Sequence, residues 1–218
     1  MKKSILFIFT ACFLFTTSCS DFLDEEHKTK YSSEYVFGTP EGLKLAVNAL
    51  YALQRYYAND TENATIFALE RGTDLAVTNG GTGNFYGIYD PNYLKPSASQ
   101  VGFMWRTMYQ IIGKANEIIA AAEDLEDTPS LRATVSEAKC FRAQSYFLLY
   151  RTFDRIWLNI QPTTAENVND PRDFHAASEK EVFDLIYEDL EYAITNLDWV
   201  SDEAGRFTQA AARHMKAK

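Results

Sequence analysis

Histidine, cysteine and positive charge are all scarce in these 218 residues: there are three His, three Cys, and 21 Lys or Arg against 30 Asp or Glu. Each shortage removes a class of function. His27, His175 and His214 stand far apart with no partner at metal-ligand spacing, so neither a metal centre nor a cofactor is expected. A formal charge of −9 offers no basic surface for nucleic acid or for anionic lipid headgroups. No apolar run reaches the ~20 residues that a membrane-spanning helix needs. Catalytic signatures are missing too. There is no Gly-x-Ser-x-Gly elbow, and Gly80-Gly81-x-Gly83 lacks both the third glycine of a dinucleotide loop and the Lys-Ser/Thr of a phosphate loop. Asp184 and Glu188 lie four apart on one helix face, whereas a glycosidase needs two carboxyls converging on one cleft.

The start of the chain carries a clear signal. Basic Lys2 and Lys3 precede an apolar run over 5–15, then Thr16, Thr17 and Ser18, and directly after them Cys19. This pattern predicts a lipoprotein signal peptide over 1–18, cleaved in front of Cys19 with lipid placed on its thiol; Thr16 stands where an aliphatic residue is usual. At roughly 0.8 kcal/mol per buried methylene, several acyl chains on one cysteine anchor a protein without any membrane span. Losing Lys2 and Lys3 leaves 19 basic against 30 acidic residues, a mature charge of about −11. Cys12 departs with the leader, so Cys140 is left as a lone thiol and no intrachain disulfide is expected. Residues 19–33 are polar, acidic and aperiodic, an extended tether.

Beyond the tether the periodicity is helical. Thr39-Pro40-Glu41 combines an N-cap, a first-turn proline and an acid at the positive dipole end. The helix it opens should run to about residue 55, with Leu43, Val47, Leu50 and Gln54 on one stripe, widened by Ala46 and Leu53. Over 61–103 the period weakens, and short strand pairings are conceivable only near 85–93. A second helix is predicted over 101–124, with Trp105, Tyr109, Ile112, Asn116 and Ile119 in step and Trp105 in the core. A third follows over 131–153, and the short break at Thr128-Pro129-Ser130 makes the two antiparallel.

Residues 154–177 contain Pro162 and Pro171 and read as a crossing loop. Ser178-Glu179-Lys180-Glu181 is a capping box that opens a helix with Val182, Ile186, Leu190, Ala193 and Leu197 inward and Asp184, Glu188, Asp189 and Glu191 on the other face. Gly205-Arg206-Phe207-Thr208 turns the chain into a last helix from Gln209. An isolated helix that short is marginal, so the sequence is expected to be the front portion of a longer protein. The fold class is mainly α: tetratricopeptide-like helical hairpins with long loops, too unevenly spaced for a clean repeat of ~34 residues.

Four stretches in this order resemble one family. They are Cys19-Ser20-Asp21-Phe22-Leu23-Asp24; Trp105-x3-Tyr109-x2-Ile112-x3-Asn116; Glu137-Ala138-x3-Arg142-Ala143 with Tyr146, Leu149 and Phe153; and Glu181-Val182-x3-Ile186-x2-Asp189-Leu190-x2-Ala193 followed by Gly205-Arg206-x-Thr208-x2-Ala211. Together they resemble the SusD/RagB outer-membrane nutrient-binding lipoproteins, over the N-terminal portion of that family. At Phe153-Asp154-Arg155-Ile156-Trp157-Leu158 the chain departs from the Phe-Gly and proline-containing strand common there. The resemblance implies a non-enzymatic lipoprotein on the outer membrane, exposed at the cell surface, that binds glycan and sits as a lid on a SusC-like TonB-dependent transporter. It divides the chain into signal (1–18), acidic tether (19–33) and a truncated SusD-like N-terminal helical domain (34–218).

Sugar recognition needs flat apolar faces for the C–H side of a pyranose and amides or acids for its hydroxyls. The stretch 79–93 supplies both, with Asn79 and Asn84 as amides and Tyr86, Tyr89 and Tyr93 as platforms. Arg142 and Asp189 are expected to pair between helices or to cap rather than to catalyse. The rival readings are a tetratricopeptide-type adaptor lipoprotein that binds protein but no glycan, and a surface glycosidase.

Overall fold

A single threonine separates the first two helices. Thr39 donates its hydroxyl to the carbonyl of Tyr35 at 2.8 Å and accepts the amide of Gly42 at 3.0 Å, so one side chain closes one helix and caps the next. In the computed structural model, which describes residues 31–59, 95, 99–164, 166–171 and 174–218, the helices are α1 (Ser33–Gly38), α2 (Pro40–Asn59), α3 (Ser99–Ala122), α4 (Pro129–Thr152), α5 (Glu179–Asn196) and α6 (Gln209–Lys216). Among the described residues there is no strand, and no helix is long and apolar enough to cross a membrane. Residues Ser33–Lys218 form one compact unit. Cys19 and the loop residues Asn79, Asn84, Tyr86, Tyr89 and Tyr93 lie outside the described residues.

The helix signals of the sequence are used, with shifts of a turn or less. α2 buries Leu43, Val47 and Leu50 completely, and it continues past residue 55 because Tyr57 is also buried, its ring stacked on Phe103 of α3. Helix α1 was not legible in the sequence. It is six residues long, buries no residue fully, and docks through Gly42, where a β-carbon would fall 2.2 Å from the Tyr35 carbonyl oxygen.

Helix α4 is the axis of the fold and lies against α2, α3 and α5. It buries polar residues as well as Leu131, Phe141, Tyr146 and Leu149. Thr134 and Ser136 return their hydroxyls to the carbonyls of Ser130 and Arg132, so neither needs an external partner. At its start Thr128 accepts the amide of Leu131, and the short turn there makes α3 and α4 an antiparallel hairpin.

The capping box of α5 is complete: Ser178 accepts the Glu181 amide and Glu181 accepts the Ser178 amide. Those bonds from Ser178 hold the Glu181 carboxyl below the usual range. Val182, Ile186, Leu190, Ala193 and Leu197 face inward as expected. Asp189 does not join Asp184, Glu188 and Glu191 outside; it is fully buried, paired with Lys139 and Arg142 of α4. Helix α6, capped by Thr208, packs on α5 and buries Ala212. The sum is a set of tetratricopeptide-like helical hairpins around one apolar core.

Candidate functional site

Between α4 and α5 the chain leaves the helices and returns, and the amide of Ala177 donates to the carbonyl of Ile156 at 2.8 Å, pinning the two ends of the loop together. The first arm of this loop is held by two phenols. Tyr109 of α3 donates its hydroxyl to the carbonyl of Trp157 at 3.0 Å and accepts that residue's amide at 3.1 Å. Tyr146 of α4 does the same two residues on, donating to the Asn159 carbonyl at 3.0 Å and accepting its amide at 2.7 Å. The hydroxyls thus occupy the places that a neighbouring strand would fill, on alternate residues of an extended segment. Burial pushes the Tyr109 phenol up to about 12 and raises Tyr146 as well, which keeps both protonated and able to donate.

Behind the phenols stands a charged network. Asn116 donates to the Asn159 carbonyl at 2.6 Å and accepts from Arg142 Nη1 at 2.8 Å. Arg142 grips the Asp189 carboxylate with Nε and Nη2, each at 2.7 Å, and Lys139 Nζ adds a third bond at 2.8 Å. The Asp189 side chain has no exposed surface, against 6% for Arg142 and 11% for Lys139. A carboxylate with three charge-assisted bonds is satisfied without water, which explains why Asp189 turns inward. Arg142 and Asp189 therefore pair between helices as expected, and through Asn116 the pair reaches the loop. Cys140 is a buried free thiol, and the same burial raises its pKa and keeps it in the thiol form.

The aromatic side chains follow from this backbone. Trp157 lies flat on Tyr109, with ring centroids 4.4 Å apart and planes 16° apart, and meets Trp105 and Phe174 edge-on at 5.1 and 5.3 Å. Trp105 is not the core residue its stripe suggested. It is half-buried at the rim of the core, where it joins Tyr109, Phe153 and Trp157. Beside these rings opens a cleft of about 430 Å³ bordered by Trp157, Asn159, Ile160, Gln161, Asp170 and Phe174. Its outer wall is a turn closed by Asn167, which accepts the Thr164 amide and donates to the Pro162 carbonyl. Sequence reasoning passed over Trp157 and Phe174; the available signal was a tryptophan standing in a segment with no helical period.

A second polar cluster is structural. Arg206 Nη1 meets Glu137 at 3.2 Å, Nε meets Glu203 at 3.0 Å and Nη2 donates to Asn48 at 2.7 Å. Tyr51 donates to Glu137 and accepts the Phe207 amide. The turn that permits this contains Gly205 at φ +85°, a left-handed conformation that suits glycine. Elsewhere Asp184 and Glu188 are exposed, and Asp184 pairs with Lys180. Among the described residues no group of three His, Cys, Asp or Glu is placed to hold a metal ion.

Comparison with known proteins agrees with this architecture. A family model described as SusD-like, starch-binding and associating with the outer membrane matches residues 21–218. A SusD-like protein of Bacteroides ovatus is 28% identical over 231 residues, covering 100% of this chain and 39% of that protein. SusD-like protein P2 of Formosa agariphila is 29% identical, over 93% of this chain and 39% of its own length. Among solved structures, a laminarin-binding SusD-like protein aligns with TM-score 0.60 and 25% identity, covering 79% of this chain and 38% of that one. One solved with a xylogluco-oligosaccharide aligns with TM-score 0.61 and 24% identity, over 78% and 32%. The chain spans about two fifths of the length of the curated relatives it matches. With a family model covering all but its first twenty residues, this chain belongs to the SusD-like family.

Proposed function

We propose that the protein is a cell-surface lipoprotein that captures neutral glycan and passes it to a SusC-like TonB-dependent transporter in the outer membrane. The family match over 21–218 carries this reading, and the 25% identity to a laminarin-binding relative supports it. Lipid on Cys19 anchors the chain to the outer membrane. The residues of 79–93 contribute ligand contacts, with Tyr86, Tyr89 and Tyr93 under the sugar rings and Asn79 and Asn84 at their hydroxyls. It is a binder without catalysis of its own.

Two measurements test this. On a glycan array, the full-length protein should retain neutral polysaccharide, and changing Tyr86, Tyr89 and Tyr93 each to Ala should weaken binding; unchanged affinity in all three removes that loop from the site. Isolation of the native complex should bring down a large barrel transporter. The helical hairpins also support a second reading, an adaptor that binds only protein. Capture of another partner with neither barrel nor glycan would favour it.

A further inference from the structure

We propose that the cleft between Trp157 and Phe174 is a subsite for one or two pyranose units of a neutral oligosaccharide, additional to the 79–93 loop. The proposal rests on the reading that the protein binds glycan, and it commits to a place and a chemistry which that reading leaves open.

Three features of the cleft carry it. The first is a rigid apolar corner. The rings of Trp157 and Phe174 stand at 73° to one another, so together they offer a floor and a wall to the C–H face of a sugar. Phe174 is 63% exposed and Ile160 56%, large apolar surfaces that the fold itself does not cover. Trp157 is fixed before any ligand arrives, since Tyr109 stacks beneath its ring and also holds both its amide and its carbonyl. A platform already ordered loses little conformational entropy on binding.

The second feature is polar capacity left open beside the corner. Both backbone groups of Asn159 are engaged by Tyr146 and Asn116, which fixes the residue while its side-chain amide bonds to no described residue. The Gln161 amide bonds to none either, and it is exposed along with the Asp170 carboxylate. Amides that donate and accept, with a carboxylate that only accepts, match sugar hydroxyls, which do both. The third feature is charge. The Asp170 carboxylate on the border of the cleft is an acceptor with negative charge, which disfavours a phosphate, sulfate or uronate beside it. The volume, about 430 Å³, lies in the ~300–1,000 Å³ range of small-molecule sites.

The test is a calorimetric titration of the full-length protein with laminarihexaose, a xylogluco-oligosaccharide and, as the charged comparison, a hexauronate. Phe174→Ala and Gln161→Ala remove exposed groups that no helix depends on, so both variants should fold, which circular dichroism verifies. Loss of the Phe174 ring should weaken binding of the preferred neutral sugar roughly three- to tenfold, and loss of the Gln161 amide by a similar factor, with the hexauronate binding more weakly than the neutral sugars. Unchanged affinity in both variants, with wild-type protein that binds, overturns the subsite and leaves glycan capture standing. Hexauronate bound as tightly as the neutral sugars also overturns it. No binding of any sugar by the wild-type protein defeats the reading of glycan capture, and the subsite with it.

Discussion

Asp189 shows most clearly how one side chain organises its surroundings. It satisfies two cations from α4, and one of those, Arg142, holds the asparagine that holds the loop. Asp189→Ala leaves Lys139 and Arg142 buried without a counter-charge, and should cost about 3–5 kcal/mol in urea unfolding. A loss under about 1 kcal/mol would show that water or another carboxylate replaces it. The buried phenols give a second outcome at this scale. Tyr57 and Tyr109 are both raised by burial from 10.0 to about 12. A group whose folded pKa is raised contributes stability that is whole below its unfolded value and is lost as pH climbs through the folded one. Denaturant midpoints should therefore hold up to about pH 10 and fall between pH 10 and about 12. A flat midpoint across that interval would mean that the phenols reach water in the folded state. In the sequence, Asn116, Arg142 and Asp189 were visible as members of helical patterns. Their mutual bonds were not, because partners 26 and 47 positions apart leave no local trace.

At the scale of elements, the caps were the most legible part of the chain. Thr39, Ser178 and Thr208 each cap the helix that follows, because a side-chain oxygen satisfying an orphan amide is a local event written in adjacent residues, and Thr128, read in the sequence only as part of a break, caps α4 in the same way. Ser178→Ala should destabilise the protein by about 1 kcal/mol in thermal or urea melts. The contribution of Glu181 has the opposite pH sense from the phenols. Its carboxyl is lowered by Ser178, so the stability it gives is present above the ordinary carboxylate range and is lost as pH falls through its folded value. Helix α1 escaped detection because six residues with none fully buried carry no period. Gly42→Ala tests its docking. A methyl 2.2 Å from the Tyr35 carbonyl must displace α1, so its amides should exchange faster with deuterium while those of α4 and α5 stay protected. Unchanged exchange in α1 would mean that the helix does not depend on that close approach. Helix α4 shows the converse: buried on several sides with polar residues included, it has a blurred apolar stripe, yet it is the centre of the packing.

For the molecule as a whole, the order of cap, stripe and turn was enough to give the helical class, while the family resemblance rested on four residue motifs, and the family match over 21–218 agrees with it. The site was less legible. Residue types suited to sugar were plain at Asn79, Asn84, Tyr86, Tyr89 and Tyr93. The cleft was hidden, because Trp157 and Phe174 become a corner only when phenols from α3 and α4 fix a segment that has no period of its own. The SusD-like scaffold thus carries a buried ionic centre whose connections end at a surface aromatic cleft. The most direct test is a crystal structure of the full-length protein with the neutral oligosaccharide it binds most tightly. Pyranose rings should lie against the aromatic residues of 79–93 and in the corner of Trp157 and Phe174, with the Asn159 and Gln161 amides at their hydroxyls. An ordered oligosaccharide that touches neither stretch would contradict this.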